Sequence, residues 1–389
     1  MTLRPALKTW RRLADHPSRG RARSDRGLRD TALRLRATHG GRSASASSRS
    51  IAAVAAVAAI AAVSLLCACG GEDVLPPRRS DTAAVVEAVT LHTPTGDLRG
   101  TLVLPEAARP VPAVIILAGS GPTDRNGNNP PLLATDAYRM LADSLSAHGI
   151  ASLRYDKRGT AASAAAGKRE EDGRFDDFVA DAAAWVQLLD ADSRIGKIAV
   201  AGHSEGALVG MLAAERGGVA AVVTLAGAGR RVNEIIALQL RDAQPPLPPA
   251  VIATSDSLLN VLAAGRLLGG IPNDMPLDVW FGLFRPSVQP YLISLFAHDP
   301  VAVMARLKAL QLRVQVVHGT RDLNIPLADA GFLAAAAGVD AVIVEGMNHV
   351  LKLSPADRAG NEATYSQPSL PVPAALVTPL VAFLSSSLK

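Results

Sequence analysis

Cysteine is nearly absent from this chain of 389 residues. The two cysteines, Cys67 and Cys69, lie close together, and residues 70–389 contain none. That long stretch therefore has no disulfide framework, no cysteine metal site and no cysteine nucleophile. Its His, Asp and Glu residues also lack the spacing of a metal site, so we expect no bound metal.

A basic excess is missing from most of the chain. Residues 1–50 hold 13 of the 40 Lys and Arg but only 3 of the 35 Asp and Glu, a net charge of +10, which leaves −5 for residues 51–389. Binding to a phosphate backbone requires a basic surface, so we expect no nucleic-acid partner. Hydrophobic residues make up 49% of the chain, which predicts a sizeable buried core.

Residues 51–69 form an uncharged, Ala-rich run after the basic leader 1–50, which we expect to be disordered. A positive flank, an apolar core and small residues at the end indicate an export signal. The end of the run, Leu66 to Gly70, resembles a bacterial lipobox. The resemblance implies that Cys69 is lipidated and that a linker, residues 70–82, tethers a periplasmic lipoprotein to the membrane. An uncleaved membrane anchor and an ordinary cleaved signal are the alternatives.

Residues 83–389 predict an α/β domain. After a hairpin at 85–104, continuous apolar strands alternate with helices, which indicates a mostly parallel central sheet with helices on both faces. The alternation breaks between about 230 and 300, where we expect an inserted helical cap. The cap is rich in aromatic residues, which line an apolar pocket, pack the insert onto the sheet, or do both: Trp280, Phe281, Phe284, Tyr291 and Phe296.

Ser204 lies between two glycines at a predicted strand-to-helix turn. Gly202 and Gly206 flank it, a strand precedes it from Lys197 to Ala201, and a helix follows. This arrangement is typical of the nucleophile elbow of an acyl-transfer enzyme, in which a strained turn exposes the serine hydroxyl. The N-terminus of the helix favours developing negative charge beside that hydroxyl.

A serine nucleophile requires a base, and the base requires an orienting acid. Asp322 follows a late strand that begins at Arg313, and His349 follows the last strand, which ends at Val344. Ligands bind at the carboxyl ends of parallel strands, and the order Ser, acid, His is that of a nucleophile-elbow hydrolase. The sequence therefore predicts a triad of Ser204, Asp322 and His349.

Other polar residues near the predicted site have more ordinary interpretations. We expect His203 to pack beside the site, His318 to be structural and His298 to lie at the surface. Asp329 is a weaker candidate for the acid because it lies further along a predicted helix. Two neighbouring pairs are interpreted as ion pairs that brace their loops: Asp156 with Arg158, and Asp124 with Arg125.

The tetrahedral intermediate of acyl transfer requires two N–H donors. We expect the backbone of Glu205, directly after the nucleophile, to supply one. The second should come from the loop after the strand at 113–117, and its position selects Ser120. Gly119 and Gly121 flank Ser120 and would let this backbone approach a substrate closely.

The chain resembles the bacterial α/β-hydrolases of the carboxylesterase and serine-aminopeptidase-like (S33) group. The similarity extends from about Val85 to Leu388 and rests on five stretches, which are 119–125, 154–159, 202–206, 318–322 and 346–349. It implies the α/β-hydrolase fold, the triad roles given above, no cofactor and a small-molecule ester as substrate. Peptide or amide hydrolysis on the same triad is one alternative, and a non-catalytic envelope binding protein is another.

Overall fold

A computed structural model describes residues 84–389. The predicted leader 1–50, the apolar segment 51–69 with the lipidation site Cys69, and the whole predicted linker 70–82 lie outside these residues. In the described part, no helix combines the length and the apolar character needed to cross a membrane.

One eight-stranded sheet forms the centre of the molecule, in the order β1-β2-β4-β3-β5-β6-β7-β8. The strands are β1 (Val85–Thr93), β2 (Gly96–Leu104), β3 (Val111–Leu117), β4 (Ala151–Tyr155), β5 (Ile195–His203), β6 (Ala221–Leu225), β7 (Arg313–Gly319) and β8 (Val342–Val344). β2 pairs antiparallel with both β1 and β4, and every other pairing is parallel. The predicted mostly parallel sheet with an antiparallel hairpin at one end is confirmed.

Helices cover both faces of the sheet. They are α1 (Ala137–Ala147), α2 (Phe175–Asp190), α3 (Glu205–Ala214), α4 (Val232–Arg241), α5 (Pro249–Ala263), α6 (Gln289–Phe296), α7 (Pro300–Ala309), α8 (Ala328–Ala337), α9 (Arg358–Ala363) and α10 (Ala374–Ser387). One core cluster packs α2, α3, α7 and α8 against the sheet, and a second packs α1 and α10 against the opposite face. All nine residues of α3 after Glu205 are buried, which explains its uniformly apolar sequence.

The insert between β6 and β7 is helical. It contains α4, α5, α6 and two short helical turns, Leu277–Val279 and Trp280–Phe284. Three of its aromatic side chains, Trp280, Phe284 and Phe296, are buried in the core cluster that the insert shares with α2 and α3. Phe281 is 46% exposed. Most of the aromatic residues in the insert therefore pack the cap onto the domain.

Candidate active site

Ser204 occupies a strained turn between β5 and α3. Its backbone has φ 54° and ψ −121°, a conformation that residues with a side chain rarely adopt. The turn is so tight that a Cβ on Gly202 would lie 2.0 Å from the carbonyl oxygen of Gly206, and a Cβ on Gly206 would lie 2.5 Å from that of Leu117. The two glycines are therefore required by close backbone approach, and the strain holds Ser204 at the carboxyl end of the sheet.

The structure brings the three residues of the predicted triad together. Ser204 Oγ lies 3.1 Å from Nε2 of His349, and Nδ1 of His349 lies 2.8 Å from Oδ2 of Asp322. In this geometry the serine hydroxyl donates to the imidazole, and the imidazole donates to the carboxylate. These contacts join residues 145 and 27 positions apart in the chain, so the fold alone creates the arrangement.

The loops that carry Asp322 and His349 are in direct backbone contact. A Cβ on Gly319 would lie 2.0 Å from the carbonyl oxygen of Met347, so only glycine permits this approach. The N–H of Arg321 donates to the same carbonyl at 3.0 Å. Asn348 anchors the His349 loop from below, since its buried amide donates to Asn361 Oδ1 and to Thr364 Oγ1. The distance between acid and base is thus fixed by backbone packing.

Asp322 is held in its ionised form. Its burial acts to raise the pKa, but the neighbouring His349, the hydrogen bond from that ring, His318 and the N–H of Ile325 together lower it below the ordinary value. Oδ1 accepts from the N–H groups of Asn324 and Ile325 at 2.7 and 2.9 Å. A carboxylate with these donors fixes the tautomer of His349 and stabilises its imidazolium form.

His203, directly before the nucleophile, lies beneath the site and packs against it. Its Nε2 donates to the backbone carbonyl of His349 at 2.7 Å, which leaves Nδ1 to accept from the hydroxyl of Tyr138, also at 2.7 Å. The Tyr138 oxygen in turn accepts the N–H of Gly119 at 3.2 Å. Burial, with the nearby His349, lowers the pKa of His203 to about 3. A neutral His203 therefore links the base loop to the loop that follows β3.

Both predicted oxyanion donors lie close to Ser204. Glu205 is the first residue of α3, where a backbone N–H has no acceptor within its own helix. Ser120 follows Gly119, whose backbone approaches so closely that a Cβ there would be 3.1 Å from Cβ of Ser204. Ser120, Ser204 and Glu205 line one cavity, so both predicted donors border the space in which a carbonyl group would bind.

The two ion pairs predicted within the loops, Asp156 with Arg158 and Asp124 with Arg125, are not formed. Asp156 pairs with Arg125 at 2.7 Å, not with Arg158, and it also accepts the N–H of Arg125 and of Ala162. Arg158 instead forms a two-pronged contact with Asp181 on α2. Asp124 does not pair with Arg125 but caps its own loop, accepting the N–H groups of residues 126 and 128. Residues far apart in sequence are adjacent here because β2, β3 and β4 are neighbours in the sheet.

The other histidine and aspartate residues considered for the site have partners outside the triad or structural contacts. Buried His318 lies 3.5 Å from Asp322 but donates from Nε2 to the carbonyl of Ile325 at 3.0 Å. His298 is partly buried against Phe175, and its ring is 2.9 Å from Asp176, so the prediction of a surface position is only partly right. Asp329 is fully buried, accepts the N–H groups of Gly229 and Arg230, and pairs with the Arg230 side chain.

An apolar cavity of about 140 Å³ adjoins Ser204. The elbow supplies its floor, and α4 and α6 of the cap supply its walls, which include Val232, Ile235, Ile236, Leu292 and Leu295. Tyr291 lines this cavity, and the other four aromatic residues predicted for the cap do not. Within residues 84–389, no group of three or more His, Cys, Asp or Glu is arranged to hold a metal ion.

Sequence reasoning missed a buried cluster that adjoins this cavity. The carboxylate of Glu205 accepts from the hydroxyl of Tyr291 at 2.8 Å and lies 3.9 Å from Nζ of Lys157. Lys157 donates to the carbonyl oxygen of Gly119 and stands over the ring of Phe178 at 5.2 Å. The only signal in the sequence was the position of Lys157 two residues after β4, at the same sheet edge as Ser204.

Comparison with known proteins shows what part of the chain is similar to. Residues 134–255 match the family model described as serine aminopeptidase, S33. Esterase EstD of Thermotoga maritima is 26% identical over 258 residues, 65% of this chain, and the chain spans 58% of that esterase's length.

Among solved structures, the α/β hydrolase GrgF from Penicillium sp. sh18 superposes with a TM-score of 0.50 at 19% identity, over 78% of this chain and 99% of that one. Est1E from Butyrivibrio proteoclasticus gives a TM-score of 0.48 at 18% identity, over 77% of this chain and 99% of that one. The sheet order, the serine at the strained β5–α3 turn and the likeness to GrgF show that the chain has the α/β-hydrolase fold.

Proposed function

We propose that the protein is a serine hydrolase that cleaves carboxylic esters of small to medium acyl chains. The single observation that carries the proposal is the hydrogen-bonded series Ser204–His349–Asp322, whose serine lines an apolar cavity. A binding protein has no use for a strained serine turn, since such strain persists only where the surrounding structure enforces it. The similarity to an esterase of Thermotoga maritima supports the same reaction class.

In the proposed reaction, Ser204 Oγ attacks the ester carbonyl while His349 Nε2 takes the hydroxyl proton. The N–H groups of Ser120 and Glu205 stabilise the oxyanion, and His349 then gives the proton to the departing alcohol. A water molecule, deprotonated by His349, attacks the acyl-enzyme and releases the carboxylic acid. Asp322 stays ionised throughout and stabilises the imidazolium.

The wall of the cavity favours an ester over an aminoacyl amide. An aminopeptidase needs a carboxylate to receive the substrate's ammonium group, and Glu205 is the carboxylate at this position. Its oxygens are engaged by the Tyr291 hydroxyl and face the Lys157 ammonium. A second cation would be repelled by Lys157, whereas a neutral acyl chain fits the apolar walls of α4 and α6.

Replacement of the nucleophile tests the proposal. In Ser204→Ala, we expect hydrolysis of p-nitrophenyl acetate and butyrate to fall by at least about 10⁴-fold, with an unchanged circular dichroism spectrum. Rates on an ester series beside aminoacyl p-nitroanilides then define the class of substrate. Full activity in Ser204→Ala would falsify the assignment of the triad, and a preference for the anilides would favour the amide alternative.

The cellular location of the protein is a separate proposal. We infer from the lipobox-like sequence that Cys69 carries a lipid and that the hydrolase domain faces the periplasm. Incorporation of labelled palmitate in an expressing bacterium, lost in Cys69→Ala, is the expected result. Labelling that persists in Cys69→Ala, or a precursor that is not cleaved before Cys69, would contradict it.

A further inference from the structure

The loop after β4 places a buried cation against the loop that carries the proposed oxyanion donor. Lys157 is 6% exposed, and its Nζ donates to the carbonyl oxygen of Gly119 at 2.5 Å. The Glu205 carboxylate is 3.9 Å from this ammonium, beyond hydrogen-bonding distance. Burial lowers the pKa of Lys157, with Glu205 acting in the opposite direction. The closest polar contact of this buried ammonium group is therefore a backbone carbonyl.

That carbonyl belongs to the same peptide group as the N–H of Ser120. A peptide group is planar and trans, so its C=O and N–H point in opposite directions. A donor that fixes the carbonyl of Gly119 on one side thus fixes the direction of the Ser120 N–H on the other. A positive charge at the carbonyl oxygen also polarises the group and strengthens its N–H as a donor.

The rest of the loop is fixed independently of Lys157. The N–H of Gly119 donates to the Tyr138 hydroxyl, and the N–H and side chain of Arg125 are held by Asp156. These contacts restrain the peptide groups before Gly119 and after Asp124. The orientation of the Gly119–Ser120 peptide itself is restrained by Lys157.

We propose that Lys157 is a positioning residue of the oxyanion hole, which holds the Gly119 carbonyl so that the Ser120 N–H points at the oxygen of the tetrahedral intermediate. The proposal rests on the ester hydrolysis proposed above. It explains why a lysine occupies a buried site where an apolar side chain of similar length would cost less free energy. Substrate in its ground state has no oxyanion, so the contribution should appear in kcat more than in KM.

The test compares three variants on p-nitrophenyl butyrate. Loss of one oxyanion donor lowers kcat by about 10²–10³-fold, and a donor that is misdirected but present should cost less. For Lys157→Met, we expect kcat to fall about 10–100-fold with little change in KM or in the melting temperature. Lys157→Arg, which keeps a cationic donor, should recover part of the loss. Lys168→Met removes a partly exposed cation that pairs with Asp177 and should leave kcat within about twofold, since a surface ion pair contributes little.

A trifluoromethyl ketone provides the readout that a merely structural role would not change. This inhibitor forms a hemiketal oxyanion on Ser204, so its inhibition constant should rise in Lys157→Met by the factor by which kcat/KM falls. Lys157→Gln carries the same prediction with a smaller loss and replaces the Met variant if that variant does not fold.

Two results would overturn the proposal. One is a kcat in folded Lys157→Met or Lys157→Gln equal to that of the unmodified enzyme. The other is a loss of kcat with an unchanged inhibition constant for the ketone. Both presuppose an unmodified enzyme that hydrolyses esters and a Ser204→Ala variant that does not. If the unmodified protein shows no esterase activity, the proposed function itself fails. The assay of the unmodified protein therefore separates this outcome from a failure of the proposal for Lys157.

Discussion

The two sides of Ser204 are built from opposite kinds of contact. On one side, the loops 119–128 and 156–162 are held by charged and polar groups, with Asp156 on Arg125 and Lys157 on the Gly119 carbonyl. On the other side, the cap presents apolar residues of α4 and α6 around a cavity of about 140 Å³. The first side is thus held by hydrogen bonds and ion pairs between loops, whereas the second side offers mainly apolar surface.

This difference separates two tasks. Directed N–H groups stabilise a developing charge only if they are fixed before the reaction, which requires a rigid polar framework. Selection of an acyl chain requires shape and apolar area, and a helical insert can supply these without disturbing that framework. Changes on the polar side should therefore alter rate and stability, and changes in the cap should alter substrate preference.

The largest effect is expected from Asp322→Asn. An amide cannot fix the required tautomer of His349, so kcat on p-nitrophenyl butyrate should fall about 10⁴-fold without loss of the fold. Asp329→Asn is the matched control, because Asp329 is equally buried but braces Arg230. That variant should lose stability and keep kcat within about tenfold per folded molecule, because Asp329 is bonded to Gly229 and Arg230 and not to the triad. Equal losses of kcat in the two variants would contradict the assignment of the acid.

The buried ion pair of the polar side should exceed a surface pair in its effect on stability. Asp156 is 3% exposed at its side chain and pairs with Arg125, so Asp156→Asn leaves a partly buried guanidinium unpaired and should cost about 3 kcal/mol of unfolding free energy. Glu215→Gln breaks the exposed pair with Arg306 and should cost at most about 1 kcal/mol. Urea unfolding of both variants measures the difference in unfolding free energy. Equal losses would show that the Asp156–Arg125 pair does not stabilise the loops more than a surface pair does.

His203 should make the domain sensitive to mild acid. Its pKa is lowered to about 3 in the folded state, whereas an unfolded histidine titrates near pH 6.5. Below that pH the unfolded chain binds a proton at His203 and the folded chain does not. The contribution of His203 to the free energy of unfolding is therefore fully present above about pH 6.5 and is lost progressively towards pH 3. From pH 7 to pH 5 the decline due to His203 should be about 2 kcal/mol. Urea unfolding of His203→Gln should show a pH dependence smaller by this amount, and an equal dependence would refute the neutral buried imidazole.

The smallest effect concerns the cap. Ile236 lines the cavity from α4 and is only partly buried, so Ile236→Trp should fill part of the space. We expect kcat/KM for p-nitrophenyl hexanoate to fall about tenfold more than for the acetate, which corresponds to about one or two methylene groups of lost contact. Leu238→Trp, on the outer side of the same helix and 37% exposed, serves as control. A parallel fall for both esters in Ile236→Trp would argue against an acyl site in the cap.

The sequence was sufficient for the residues whose positions follow from chain order and strand ends. Ser204, Asp322 and His349 each lie within five residues of the carboxyl end of a parallel strand, and such ends meet at one edge whatever the details of packing. The glycines at 202 and 206 signalled the turn because no other residue fits it.

The contacts between loops were not predictable in this way. Asp156 has a neighbour, Arg158, that suggested a local ion pair, yet its partner is Arg125, 31 residues away in the chain. That choice depends on which strands are adjacent in the sheet, and β4 lies between β2 and β3. The roles of Tyr138 and Lys157 have the same origin, since nothing in their local sequence indicates a contact with the Gly119 peptide.

The most direct test of the central claim is to trap the nucleophile. The protein is treated with a fluorophosphonate ester, and the modified peptide is identified by mass spectrometry. We expect stoichiometric modification of Ser204, abolished in Ser204→Ala and strongly slowed in His349→Ala, since the base must take the hydroxyl proton. Modification at another residue, or none in a protein that hydrolyses esters, would contradict it.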